Sequence, residues 1–371
     1  MGTNGSALRG ALLGAAWVLA THCSEQRAAA TDSAAVTDVS TGADISAGTA
    51  TLDIAVQDTP ADSGASSPDL KADATTLSWQ AFPPLPAPRQ EHAVVAWNER
   101  LIVVGGYAGT GFGPPSTSVL AWQSGAANWT ALPDLPEALH HAHAAVLDGK
   151  LYVAGFLTGF DFAHDGRGWT LTEATAKWTS MPGLPAATAR GGGCATAWKG
   201  QLWVLGGLRS LKSVASVDRF DVATQAWVAG PALPEARDHL ACGVVADQLV
   251  VAGGRNGGVG NHSPKTWTLA TPGGAWQSRA LMAVSRGGVA AAVWQDRLVV
   301  AGGEGNKATK SGVFAEVEAY DLAADAWIRL PDMAVPRHGN GAAVVGGRLH
   351  VPGGATVQLF GAVADHDGLG P

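Results

Sequence analysis

The chain reads as an all-β protein, a closed ring of six blades, and two periodic markers together with the composition carry that reading. Its 371 residues include 49 Gly, 20 Pro and 14 Trp, while only 15% are charged. Gly in a helix costs about 1 kcal/mol relative to Ala, so glycine at this density favours short strands and turns. A hydrophobic content of 46% is ample for a core and excludes wholesale disorder.

The first marker is a diglycine that closes an apolar run: Gly105-Gly106 in LIVVGG, Gly206-Gly207 in LWVLGG, Gly253-Gly254 and Gly302-Gly303 in LVVAGG, and Gly353-Gly354 in LHVPGG. Gly155-Phe156 in LYVAGF is a sixth, degenerate copy, and successive spacings are 50, 51, 47, 49 and 51 residues. The second marker is tryptophan. Trp79, Trp129, Trp178, Trp227, Trp276 and Trp327 follow at intervals of 50, 49, 49, 49 and 51. Two independent markers sharing a period near 50 define a repeat of about four strands, the size of a propeller blade.

Within the first repeat, His92 to Trp97 forms a strand, Asn98-Glu99-Arg100 a tight turn, and Leu101 to Val104 a second strand. The opening strand of every repeat is small and apolar (HAVVA, HAAVL, GCATAW, ACGVV, VAAAV, GAAVV), as strands converging on a narrow channel require. The recurring Trp, on an outer strand, is expected to fill the widening wedge between neighbouring blades.

A third element recurs. Arg89, Arg190, Arg237, Arg286 and Arg337 each stand twelve residues before the leucine that opens the diglycine strand, and the second repeat has Leu139 there. With these marks, residues 79 to 360 resemble the kelch family, whose repeat ends its second strand in a diglycine and carries a tryptophan on its fourth. The family's aromatic-Asp pair on the third strand is present as Phe220-Asp221 and Tyr320-Asp321, with Trp122, Trp169 and Trp267 as looser counterparts. The resemblance implies a six-bladed kelch-type β-propeller.

Trp79 precedes the first diglycine and has no repeat of its own, whereas the last diglycine is followed by Thr356 to Phe360 and a Gly- and Asp-rich tail without tryptophan. Leu77 to Phe82 is therefore expected to complete the last blade as its fourth strand. Such a closure uses both chain ends and leaves no free edge.

Two segments precede the propeller of residues 78–371. In residues 1–23, Arg9 is followed by an apolar run, Gly10 to Ala20, too short to span a bilayer and suited to the core of a signal peptide, so export is expected. Leu19 to Cys23 resembles a bacterial lipobox, which would make Cys23 an acylated anchor at an outer membrane or cell surface. His22 is bulky for that box, and cleavage after Ala30, giving a periplasmic or secreted protein, is the alternative. Residues 24–77 hold no Phe, Trp or Tyr. Residues 1–77 carry three basic against nine acidic residues, which is six of the seven net negative charges. The segment 24–77 cannot bury enough apolar surface to offset its ordering, and is expected to be a disordered tether reaching roughly 40 Å. The near-neutral propeller that remains argues against nucleic acid as a partner.

Chemistry in the propeller is sparse. The recurrent arginines lie just before the innermost strands, near one mouth of the channel. They are expected either to ring that mouth for carboxylates, sulfates or acidic peptides, or to hold inter-blade loops through backbone carbonyls. Candidate wall residues are Glu91, His141 and His239, two places after the Arg position, and Tyr107, Arg209, Arg255, Asn256, Glu304 and Asn306 after the diglycines. In the second repeat, His141 and His143 share a strand face and are candidate metal ligands, with the His164 loop as the source of a third; histidines that line the channel without metal are the alternative. Cys194 and Cys242 fall on the first strands of adjacent blades with opposite parity, so they form either a disulfide or two buried thiols. Three cysteines in all rule out a disulfide scaffold or a multi-cysteine zinc module.

The kelch family includes a copper radical oxidase, whose tyrosine and histidine ligands find no counterpart in Tyr107, Tyr152 and Tyr320, each on a different blade. Nearer in size is a six-bladed exported mutarotase acting on sialic acid, in which Glu91 or Glu304 would serve as acid and base beside an arginine. No phosphate loop, nucleophile elbow or paired metal motif is present in the sequence. The expected function is a tethered, monomeric, non-catalytic module without a cofactor that binds a protein or glycan at one channel mouth. An epimerase of the sialic-acid type is the alternative.

Overall fold

The structure, a computed structural model, describes residues 76–111 and 113–371. The signal-peptide and tether assignments up to residue 75, Cys23 included, lie outside the described residues. Among those described, every regular element is a strand, and six four-stranded antiparallel sheets form the blades.

From axis to rim, blade one runs Ala93–Trp97, Arg100–Val104, Val119–Gln123 and Thr130–Leu132. Blade two is Ala144–Leu147, Lys150–Thr158, Ala163–Leu171 and Thr179–Met181, and blade three is Cys194–Trp198, Gln201–Leu205, Val217–Asp221 and Ala226–Ala229. Blade four follows with Ala241–Val245, Gln248–Ala252, Thr266–Leu269 and Gln277–Arg279, and blade five with Ala290–Trp294, Arg297–Ala301, Val317–Asp321 and Ala326–Leu330. Blade six takes Ala343–Val345, Arg348–Pro352 and His366–Gly370 from one end of the chain and Ser78–Ala81 from the other, with Trp79 opposite Leu369. The Gly- and Asp-rich tail is thus a paired strand, and Thr356 to Phe360 is the loop that leads to it.

One hydrophobic cluster fills each of the six blade interfaces. Between blades one and two, for example, Ile102, Val104 and Ala121 meet Leu151, Val153 and Trp169. The recurring tryptophans staple these interfaces at the rim. Trp129, Trp178, Trp227 and Trp276 donate Nε1–H to the carbonyls of Pro83, Pro133, Pro182 and Pro231, one blade upstream, at 2.8–2.9 Å. Trp327 does the same to Ala280, and Trp79 to Pro331, 252 residues away, so this series of staples also runs round the closed ring. A second set, Trp97, Trp198 and Trp294 on alternate blades, donates to Gly149, Asp247 and Gly347 in the first turn of the next blade.

The diglycine is explained by a close approach. A Cβ on its first glycine would stand 2.2–3.0 Å from the carbonyl of the next blade's Arg-position residue, whether Leu139, Arg237, Arg286, Arg337 or Arg89. Gly155 meets the same contact, 2.6 Å from Arg190 O, which is why the degenerate copy keeps its first glycine and varies only its second. Cys194 and Cys242 are joined as a disulfide between blades three and four, their Cα atoms 6.0 Å apart.

At the closure, His350 Nδ1 lies 3.0 Å from His366 Nε2, and His366 Nδ1 lies 3.2 Å from Pro83 O, among the rings of Phe82 and Trp122. Burial holds His350 down to about 4 and His366 to about 3. Both rings stay neutral in the fold, yet take up protons near 6.5 when unfolded. The unfolded chain therefore binds more protons between about 6.5 and about 3, and stability falls as pH drops through that window. Urea midpoints measured from pH 7 to pH 4 should decline, and His366→Gln should flatten the slope by about one proton. Deleting residues 77–84 should collapse the cooperative melt far more than deleting residues 30–70; equal tolerance of the two deletions would contradict closure by the Ser78–Ala81 strand.

Candidate functional site

At the axis, the six residues two places beyond the Arg position meet. Each amide of Glu91, His141, Gly192, His239, Gly288 and Gly339 donates to the carbonyl of the preceding member, and Glu91 N–H closes the circle on Gly339 O, with N···O distances of 2.5–3.0 Å. Each lies in the left-handed region, with φ of 54, 52, 68, 54, 64 and 62° in that order. That conformation costs a residue with a side chain roughly 1 kcal/mol and glycine almost nothing. Three blades use glycine; the other three accept the strain, and their side chains converge.

One residue earlier, the chain bridges to the residue after the diglycine: Gln90 to Tyr107, His140 to Leu157, Gly191 to Leu208, Asp238 to Arg255, Gly287 to Glu304 and His338 to Ala355. The two candidate walls read from the sequence are therefore one structure. Glu91 Oε2 is 3.1 Å from His141 Nε2 and 3.8 Å from His239 Nε2, and the two imidazole nitrogens are 3.1 Å apart. Gly192 lies between the two imidazoles in the ring, and a Cβ there would be in ordinary contact with both, at 3.4 and 3.5 Å.

Behind this cluster is a buried layer of charges. His239 Nδ1 is 2.6 Å from Asp238 Oδ1, Arg255 Nε donates to the same oxygen at 2.9 Å, and Arg255 also pairs with Glu304. Arg255 NH2 stands 3.1 Å from His239 Nε2. Burial opposes ionisation of Asp238, but the hydrogen bond to His239 and the charge of Arg255 hold its carboxyl below the usual range. Glu304 is likewise held down, chiefly by Arg255 acting against burial. His140 Nδ1 contacts His141 Nδ1, while His140 Nε2 reaches Tyr107 Oη at 2.9 Å and Gly159 O at 3.0 Å. Asp238 and His140 were not singled out by the sequence reading as site residues. Superposing the repeats on the Arg position puts both in the column beside Glu91, His141 and His239, which is the signal that finds them.

Several expected site residues lie elsewhere. The five arginines do not ring the mouth for anions, because each is buried and turned into its own blade. Arg190 donates to the carbonyls of Gly206, Val204, Ser216 and Thr188 and pairs with Asp218 at 2.6 Å. Arg89 bonds Gly105 O and Ser118, Arg286 bonds Val300 O and forms an ion pair with Glu318, Arg337 bonds Val351 O and Asp367, and Arg237 pairs with Glu235 above the Trp267 ring. His143 does not join His141: its Nδ1 faces the Ala154 and Gly155 carbonyls and its Nε2 accepts Gly193 N–H, so both nitrogens serve the backbone. His164 lines an outer cleft with Arg167 and Trp169, away from the axis. Tyr107 is buried against His140; Arg209 donates outward to Ala186 O, and Asn256 and Asn306 bond within their own loops.

These features define the class of protein, a six-bladed β-propeller with a polar cluster at one channel mouth. The kelch motif matches residues 88–136, 189–234 and 285–334, in blades one, three and five. Kelch-like protein terF of Aspergillus terreus is 32% identical over 289 residues, covering 73% of this chain and 62% of that protein. Kelch-like protein 35 of Mus musculus is 28% identical over 235 residues, covering 61% and 37%. The chain thus spans less than two thirds of the length of these relatives. The solved structure of YjhT shares the fold, with a TM-score of 0.64 at 17% identity, over 77% of this chain and 96% of that one. The chain belongs to the kelch-repeat β-propeller family.

Because Arg190 spends its whole guanidinium inside blade three, Arg190→Met should cost about 3–5 kcal/mol in urea unfolding by leaving Asp218 buried and unpaired. Arg190→Lys should recover little of it, since an ammonium cannot reach the same set of carbonyls.

Proposed function

We propose that this chain is an exported, tethered binding module whose propeller takes a protein or glycan at the mouth ringed by Glu91, His141 and His239. Residues 1–77 carry it out of the cell interior and hold it at a membrane through Cys23, or release it as a periplasmic or secreted protein. The observation that carries the reading is the convergence of these three side chains, with Asn340 and the ring glycines, around a concavity of about 90 Å³. At about 30 Å³ per water, that space admits one polar group of a larger ligand, whose remainder rests on the surrounding loops. Walls that offer a carboxylate, imidazoles and the Asn340 amide suit a hydroxyl or amide group. The Cys194–Cys242 pairing supports an oxidising compartment.

A glycan array and a pull-down with the full chain should capture a ligand, and the double variant Glu91→Gly, His239→Gly should weaken capture at least tenfold while still melting cooperatively. Capture untouched by that variant places the binding surface elsewhere. A second reading, a mutarotase or epimerase of the sialic-acid type, is favoured by the 3.1 Å contact between Glu91 and His141, an acid–base pair at the concavity with the Arg255 guanidinium one layer behind it. Proton NMR of sialic acid decides between them: accelerated anomer exchange that Glu91→Gln abolishes overturns the non-catalytic reading.

A further inference from the structure

We propose that Glu91, His141 and His239 hold a divalent transition-metal ion at the channel mouth. The first argument is a count of protons. Asp238 lies 2.6 Å from His239 Nδ1 and a carboxylate only accepts, so His239 carries its proton on Nδ1 and presents a lone pair on Nε2. His140 Nε2 lies 3.0 Å from the Gly159 carbonyl, which also only accepts, and the Tyr107 hydroxyl, 2.9 Å from the same nitrogen, donates its own proton to that carbonyl at 3.1 Å, so His140 is protonated on Nε2 and its Nδ1 is an acceptor. His141 Nδ1 must then donate to His140, and His141 Nε2 is a second lone pair. Two imidazole lone pairs and the Glu91 carboxylate therefore face one another, all within 4.8 Å, with no hydrogen of their own between them.

The distances are those of a coordination face. Ligands about 2.0–2.1 Å from a tetrahedral ion stand roughly 3.3–3.4 Å apart, and the three separations here are 3.1, 3.1 and 3.8 Å. Two His and one carboxylate, with the remaining position open to the channel, is a ligand set suited to zinc or ferrous iron. Each imidazole is oriented from behind, His239 by Asp238 and His141 by His140, as ligand histidines are in metal sites. Charge fits as well: Glu91, Asp238 and Glu304 against Arg255 leave a formal −2 around the cluster, which a divalent ion cancels. Arg255 NH2, 3.1 Å from His239 Nε2, is the donor the ion displaces, and it keeps its pairings with Asp238 and Glu304.

The backbone supplies a separate argument. The three donors sit at positions where the other three blades place glycine, each at a φ near 50° that a side chain adopts at a cost. Strain of that kind at three of six equivalent positions, and convergence of those same three side chains, are two independent facts about one site.

The test uses the full chain stripped with a chelator and dialysed against Zn²⁺ alone, with bound metal counted by elemental analysis. Co²⁺ replaces Zn²⁺ in a parallel sample, and its visible d–d absorption reports coordination. The expected result is one ion per chain and the bands of four- or five-coordinate cobalt. Glu91→Gly, His141→Gly and His239→Gly copy the sequence of the other blades, so they should fold, melt no lower than the parent, and lower affinity by more than about tenfold. Asp238→Asn should lower it by about 10–100-fold, whereas His143→Ala should leave it unchanged. No uptake by the parent chain, uptake that survives all three glycine variants, or an equal loss in His143→Ala overturns the site. Uptake is measured without any other ligand, so failure to capture a protein or glycan bears on the binding reading and leaves the metal site standing.

Discussion

The circle of six backbone hydrogen bonds at the axis, from Glu91 round to Gly339, joins all six blades through residues that each donate to one member and accept from the next. Each bond is an ordinary amide-to-carbonyl pair worth about 1 kcal/mol. Its influence lies in what it demands of the chain. Every blade must bring one residue to the axis in the left-handed region just before its first strand, and the ring closes only if all six comply. The residue before then bridges to the loop after the diglycine, and the residue before that, usually arginine, turns back into its own blade.

Outward from that circle the same logic repeats in two further layers. The second diglycine residue donates to the carbonyl of the next blade's Arg position, for instance Gly207 to Arg237 and Gly354 to Arg89. At the rim, tryptophan indoles reach back to the preceding blade. All these contacts link nearest neighbours, as in an open repeat array, but Trp79 to Pro331 and Gly354 to Arg89 make the array a ring. The Ser78–Ala81 strand paired with His366–Gly370 covers what would otherwise be a free sheet edge.

Much of this was legible because each layer demands a particular residue type. Only glycine tolerates the approach of a carbonyl at 2.2–3.0 Å, only a large donor ring staples the rim, and both recur with the blade period. The direction of a side chain was not legible in the same way. Arginine recurs whether it binds anions at the mouth or carbonyls inside the blade, so the pattern of Arg190 and Arg337 alone left the two readings open. The last blade's third strand, His366–Gly370, has no β-branched or aromatic residue and reads as a tail; it pairs because Arg348–Pro352 and Ser78–Ala81 flank it. The column Glu91, His141, His239 was visible as a wall, yet the candidate chelating pair within one strand, His141 and His143, was not the pair the fold brought together. Nearness along a strand competes poorly with a ring that sets residues 98 apart, His141 and His239, at 3.1 Å.

That geometry explains where chemistry arises in so regular a scaffold. Away from the axis, equivalent positions of different blades diverge radially and their side chains meet only neighbours. At the axis six equivalent positions share one small space, so a group acquired in one blade directly faces groups acquired in others. Glycine at all six positions would satisfy the ring with the least strain and bring no ionisable side chain to the axis. The departures in blades one, two and four supply a carboxylate and two imidazoles, and blades four and five add Asp238, Arg255 and Glu304 one layer behind. Blade two, which lost its arginine and half its diglycine, keeps its place through Leu139, buried in the cluster shared with blade one, and through the His140–Tyr107 contact. Its departures from the repeat coincide with the histidines of the site. The places where the repeat rule fails are the places where ionisable side chains gather at the axis.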